Sequence, residues 1–173
     1  MALALAAAAQ CSDGAAPEAV LNGLPHVAYP APKRIASGRL QASDIPALQA
    51  AGVRDVIDLS IDSETPNFDE AAAMQHAGIA YHNLPIHGAS DLSDANVVQF
   101  NRLLADAGDS LTLVHCASSN RVGAMIALRA AIIERQSTEA AVAEGRRWGL
   151  KSLEPAVRER LEARSLNQAP VHP

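Results

Sequence analysis

Two rhythms of apolar and polar positions alternate along the chain. From Ile35 onward, short β-branched runs give way to longer stretches in which apolar residues return at helical spacing. Arg34 to Ala36 reads as a short edge strand. Ser43 is a good N-cap, with Pro46 in the first turn of a helix that stops at Gly52. Val53 to Leu59 is a β-branched strand. Asn67, with Glu70 three residues on, opens a helix to His76 that Gly78 closes. Ile79 to Ile86 is the next strand. Ser93 or Asp94 caps a helix in which Val97, Phe100 and Leu104 recur at helical spacing, and Gly108 ends it. Leu111 to His115 is apolar enough to be buried on both faces. Val122–Arg135, Thr138–Trp148 and Pro155–Ala163 read as three helices. Strands alternating with helices predict an α/β fold: a mostly parallel central sheet flanked by helices.

The ends read differently. Residues 10–32 carry Pro17, Pro25, Pro30 and Pro32 and show no hydrophobic period, so they predict a linker or an arm. Residues 33–165 form the folded domain and 166–173 a frayed tail. Met1 to Ala9 is a short apolar run with Ala7 and Ala9 in the A-x-A positions of a secretory signal, although the first basic residue is Lys33. The expectation is a periplasmic or otherwise exported protein, cytoplasmic if this segment is not a signal. Cys11 lies where a lipoprotein cysteine would, but Gln10 is large for lipid attachment.

Composition narrows the functions. The chain has 173 residues, enough for one domain with a real core. A net charge of -5 and an aromatic content of 3% exclude a general nucleic-acid binder. No apolar run reaches the roughly 18 residues that span a bilayer. Two cysteines, Cys11 and Cys116, are too few for a disulfide framework or a structural zinc site. His82 and His87 are five apart on a strand and face opposite sides, and His26 and His172 lie in irregular ends, so no metal is expected. No cofactor is expected either.

Ligands of parallel sheets bind at the carboxyl ends of strands, which directs attention to HCASSNRVG, His115 to Gly123. Cys116 ends the buried strand and faces a helix N-terminus, where the dipole and loop N–H groups favour a thiolate. Ala117, Ser118, Ser119 and Asn120 are small, so their N–H groups can turn inward as an anion nest. Arg121 adds a planar fork that matches two phosphate oxygens. A buried strand-end cysteine alone is usually packing; the whole constellation predicts phosphoryl transfer.

The stretches SGRLQASDIPALQAAGVRDVIDL, GIAYHNLPI and HCASSNRVG resemble the beta-lactamase hydrolase-like protein phosphatase-like family, bacterial relatives of the tyrosine and dual-specificity cysteine phosphatases. The resemblance implies a cysteine-phosphatase-like fold and hydrolysis of phosphate monoesters, phosphotyrosine among them, through a phosphocysteine. By position it implies Cys116 as nucleophile, Arg121 as phosphate-binding residue and His115 as support for the loop and the thiolate. The chain departs from the tyrosine phosphatases in two ways, and at Ser119 from its own subgroup. Four residues separate Cys116 from Arg121 instead of five. Ser119 stands where Gly is common, and its Cβ clashes if the position needs positive φ. Val122 replaces the hydroxyl that assists thiolate departure. Relatives also often carry Arg where this chain has Ser60.

The leaving group needs a proton, and a general acid contributes about 10²–10⁴-fold. The loop after Ile86 offers Asp91 first, His87 as a substitute, and Asp94 mainly as a helix cap. Asp62 and Glu64, after the neighbouring strand, either line the pocket or solvate a turn. Arg146, Arg147 and Lys151 around Trp148 read as a solvated helix face. The expected partner is a phosphorylated small molecule or protein. Two rivals use the same loop differently: a rhodanese-like sulfurtransferase working through a persulfide, and a phosphate-binding module with little turnover.

Overall fold

A computed structural model describes residues 16–168 of the chain. Met1–Ala9, Cys11 and His172, and with them the reading of an export signal, lie outside the described residues. Five strands form one sheet: β1 (Ala28–Ala31), β2 (Arg34–Ser37), β3 (Asp55–Asp58), β4 (Ala80–Asn83) and β5 (Thr112–His115). The order is β1-β2-β5-β3-β4, parallel throughout except for the antiparallel β1–β2 pair. Seven helices are present among the described residues: α1 (Pro17–Leu21), α2 (Ile45–Ala51), α3 (Glu70–His76), α4 (Asp94–Asp106), α5 (Asn120–Ile132), α6 (Thr138–Arg147) and α7 (Glu154–Gln168). The α/β architecture expected from the alternation is the one observed.

Strand β5 lies at the centre and is buried at every position. Its side chains alternate between two cores, as the period of two requires. Val114 joins Ala36 and Ile57 with Phe100, Met125 and Val157 from α4, α5 and α7. Leu113 joins Ile35 and Val56 with Leu21, Leu48 and Met74 from α1, α2 and α3. The register places Ser37, His115 and Asp58 side by side at the carboxyl ends of β2, β5 and β3. Three strand ends therefore meet where the Cys116 loop begins.

The expected linker holds structure. Leu21 and Leu24 are buried beneath the sheet, and Ala28 pairs with Ala36, so β1 is the edge and β2 is interior. Pro17 fits the first turn of α1, and Pro30 is tolerated because an edge strand can lack one ladder donor. At the other end α7 runs to Gln168, past the expected limit of the domain. Caps also shift locally. Asp69, not Asn67, accepts from the Ala72 N–H to start α3. A 3-10 turn at Ala42–Asp44 precedes α2, closed by Gln41 and Asp44, so Ser43 is not its cap. Ser93 caps α4 as expected, accepting from the Asn96 N–H.

Helix α5 carries the loop and is buried nearly all round. It approaches α6 so closely that a Cβ on Gly123 would stand 2.1 Å from the Leu150 nitrogen and 2.6 Å from the Gly145 carbonyl oxygen. Among the described residues no helix is long and apolar enough to cross a membrane.

Candidate active site

The chain leaves β5 at His115 and enters α5 at Asn120, so residues 116–119 make the loop. Ser119 sits at the N-cap position with φ 61°, the left-handed region that disfavours a Cβ. It is held there from two sides. Its hydroxyl donates to the His26 carbonyl at 3.2 Å, and Gly149 approaches so near that a Cβ there would be 2.5 Å from that of Ser119. Gly38 bridges Ser118, and the Arg39 N–H reaches the Ala117 carbonyl at 3.4 Å. The Asn120 side chain points away from the loop. Its Nδ2 donates to Ser152 Oγ at 2.7 Å and its Oδ1 accepts from Lys151 N at 2.8 Å, which ties the loop to the α6–α7 connection. The N–H groups of Ala117, Ser118, Asn120 and Arg121 donate to no acceptor among the described residues. They are the orphan donors of a helix N-terminus, available to an anion.

Cys116 is a free, buried thiol with a relative exposure of 0%. Its side chain belongs to the core that contains Val114, Val122 and Met125. Arg121 is 8% exposed, and its guanidinium is fully engaged at the terminal nitrogens. Nη1 donates to the carbonyls of Leu59 at 3.2 Å and Ile86 at 2.8 Å, and Nη2 to both Glu64 oxygens at 2.9 and 2.7 Å. Burial opposes the charge on Arg121, but Glu64 and the Cys116 sulfur together hold its pKa above the ordinary value. Sulfur, guanidinium and Glu64 thus share one spot beneath the end of β3. Glu64, left open by the sequence between lining a pocket and solvating a turn, pairs with Arg121; Asp62 lines a neighbouring cavity.

His115 lies on the opposite face of β5 from Cys116. Its Nε2 stands 2.8 Å from Glu70 Oε1 and 3.5 Å from Asp58 Oδ1, all three side chains being buried. Sequence reasoning missed Glu70 and Asp58 here, because Glu70 looked like a capping residue and Asp58 like the end of a strand. Only the β3–β5 register, which sets Asp58 opposite His115, signals the pairing.

The loop after β4 reaches the same place, since the Ile86 carbonyl accepts from Arg121. Beside it, Asp91 Oδ2 accepts from the His87 N–H at 2.8 Å and contacts His87 Nδ1 at 2.7 Å. The backbone and ring of His87 hold the Asp91 carboxyl below its ordinary value. Asp94 faces away and pairs with Arg160 and Arg164 of α7. Of the basic residues around Trp148, Arg146 pairs with Glu154 and Arg147 with Glu144. A cavity of about 480 Å³ lies on the His115 side of the sheet and is lined by no residue of the 116–121 loop.

No family model matches the chain. Over 117 residues, 65% of its length, it is 32% identical to the Beta-lactamase hydrolase-like protein of Xylella fastidiosa in strains Temecula1 and 9a5c. The match covers 27% of those proteins, so the chain spans about a quarter of the curated relatives it matches. Among solved structures, a DUF442 protein of Shewanella putrefaciens CN-32, described as a candidate phosphatase, superposes with a TM-score of 0.67 at 21% identity over 85% of this chain and 97% of that one. Kinase associated phosphatase superposes with 0.67 at 16% identity, covering 86% and 99%. P. aeruginosa TpbA in complex with pTyr gives 0.61 at 21%, covering 83% and 90%. The resemblance drawn from the three sequence stretches holds, and the fold is that of the cysteine phosphatases.

Proposed function

We propose that the chain hydrolyses phosphate monoesters of a small molecule or protein through a phosphocysteine. The observation that carries this reading is the set of uncommitted N–H groups at Ala117, Ser118, Asn120 and Arg121, gathered on one loop with the Cys116 sulfur and the Arg121 guanidinium. Donors fixed before the reaction stabilise developing charge without reorganisation. Cys116 attacks phosphorus as a thiolate; the S–P bond forms and the P–O bond to the leaving group breaks. The leaving oxygen takes a proton. We assign this proton to His87 of the His87–Asp91 pair, because Asp91 contacts its ring at 2.7 Å and can orient the imidazole. Water then attacks phosphorus and gives a proton back to His87, the S–P bond breaks to return the Cys116 thiolate, and phosphate departs. His115, Glu70 and Asp58 brace the loop from the far face.

A phosphate-binding module is the second reading. It is favoured by the enclosure of the sulfur, by Glu64 on the guanidinium, and by Val122 in place of a hydroxyl. Hydrolysis of p-nitrophenyl phosphate by wild type and Cys116→Ser separates the two. Turnover in wild type that the variant abolishes, with vanadate binding retained, supports the phosphatase. Equal rates exclude the phosphocysteine, and vanadate binding without turnover in either protein establishes the module. Persulfide formed from thiosulfate in place of hydrolysis would make the chain a sulfurtransferase.

A further inference from the structure

We propose that Asp58, Glu70 and His115 form a binding site for a first-row divalent metal cation, on the face of the sheet opposite Cys116. The site stands on its own residues and does not depend on turnover at Cys116. Its three ligand atoms lie within 4.8 Å of one another, with Nε2 of His115 2.8 Å from Glu70 and 3.5 Å from Asp58. Ligands held roughly 2.0–2.2 Å from an ion stand about 3–3.6 Å apart, so small adjustments admit one. The residues come from three elements: β3 supplies Asp58, α3 begins with Glu70, and β5 ends with His115.

Charge and hydrogen bonding point to the same occupant. Asp58 and Glu70 are each 4% exposed and His115 is 1% exposed. Two carboxyl groups and an imidazole share one buried site, a donor set that a cation would satisfy. Neither His115 ring nitrogen nor Glu70 Oε1 has an aligned hydrogen-bond partner. Asp58, by contrast, is fixed by its surroundings: Oδ1 accepts from Ser60 N at 2.7 Å, and Oδ2 from Tyr81 Oη at 2.9 Å and Asn83 Nδ2 at 3.3 Å. Such an outer shell orients a ligating carboxylate. The adjoining cavity of about 480 Å³ gives a route of entry. Asp58, Asp62, Asp69 and Glu70 are among its lining residues, and no lysine or arginine is. One nitrogen and two oxygen donors, with sulfur on the other face, suit Mn²⁺ better than a soft metal. An ion here would pin the residue that precedes Cys116.

The test is a titration of the full chain with Mn²⁺, following free aqueous Mn²⁺ by its paramagnetic resonance. One ion is expected per chain. Glu70→Gln keeps shape and removes the charge, and should weaken binding at least about tenfold; Cys116→Ser should bind as wild type. Independently, Mn²⁺ added to the wild type should broaden the amide signals of Asp58, Glu70 and His115 before those near Asp94 or Glu139. That measurement decides the matter if Glu70→Gln does not fold. No bound ion, unaltered affinity in folded Glu70→Gln, loss of binding in Cys116→Ser, or broadening centred elsewhere would each overturn the proposal.

Discussion

The Glu64 carboxylate meets the Arg121 guanidinium through both of its oxygens, across 57 residues of chain. The pair is only partly exposed: Arg121 at 9% and Glu64 at 25% by side chain. Arginine has many rotamers, and this contact, with the carbonyls of Leu59 and Ile86, selects one. It also places a negative charge beside the loop proposed to receive an anion. Which effect wins decides what the residue does.

Positioning should win, because the terminal nitrogens are held while the loop N–H groups remain uncommitted. Glu64→Gln is therefore expected to lower kcat/KM for an aryl phosphate by about 10- to 100-fold, since small misplacements of a binding group are costly. Both a higher KM and a lower kcat are expected. The thermal midpoint should move little. Steady-state kinetics at several phosphate concentrations check this; a lower KM would mean that Glu64 instead competes with the substrate for Arg121.

The contact between Asp91 and His87 makes a prediction in pH. The Asp91 pKa is depressed in the folded chain, chiefly by the His87 backbone N–H and ring, from an ordinary value of 3.8. The ionised form is thus favoured by folding. Its contribution to stability is present above the unfolded value and disappears as pH falls through the folded one. Asp91→Asn should lower the melting temperature at neutral pH, and the gap to wild type should close as pH drops below 3.8. In kinetics the same variant should slow poor leaving groups more than good ones, because it loosens His87. A gap in melting temperature that is constant from neutral pH down to acid would show that ionised Asp91 adds nothing to stability, and an unchanged leaving-group slope would remove the dyad from catalysis.

How much of this was legible in the sequence follows from distance along the chain. The central strand, the loop and α5 are contiguous, so Leu111 to Gly123 announces them through local pattern alone. The same pattern concealed α1 and β1: a one-turn helix opened by Pro17 and an edge strand containing Pro30 look like punctuation. Their place becomes evident only from Leu21 and Leu24 in the core. The partners of the loop were harder still. Glu64 comes from a 3-10 turn after β3, and Glu70 from a helix start whose acid has an ordinary local explanation. Nothing local distinguishes them from solvated acids. The parallel register of β3 with β5 brings Asp58 to His115, and a register is a property of the assembled sheet.

Gly123 makes the sharpest packing prediction. It lies two residues after Arg121, on the face of α5 that touches the α6–α7 connection. A Cβ there would stand 2.1 Å from the Leu150 nitrogen, 2.6 Å from its Cα and 2.6 Å from the Gly145 carbonyl oxygen. All three are backbone atoms, so no side chain can rotate aside. Overpacking of side chains costs about 1–3 kcal/mol, and contact with backbone should exceed that range. Gly123→Ala is expected to lose about 3 kcal/mol or more in denaturant unfolding. The strain should also reach the loop, since α6 must move and Asn120 anchors the same connection. Activity on aryl phosphate should fall even where the variant is still folded. A variant as stable as wild type would show that α5 and α6 part readily enough to admit the methyl group.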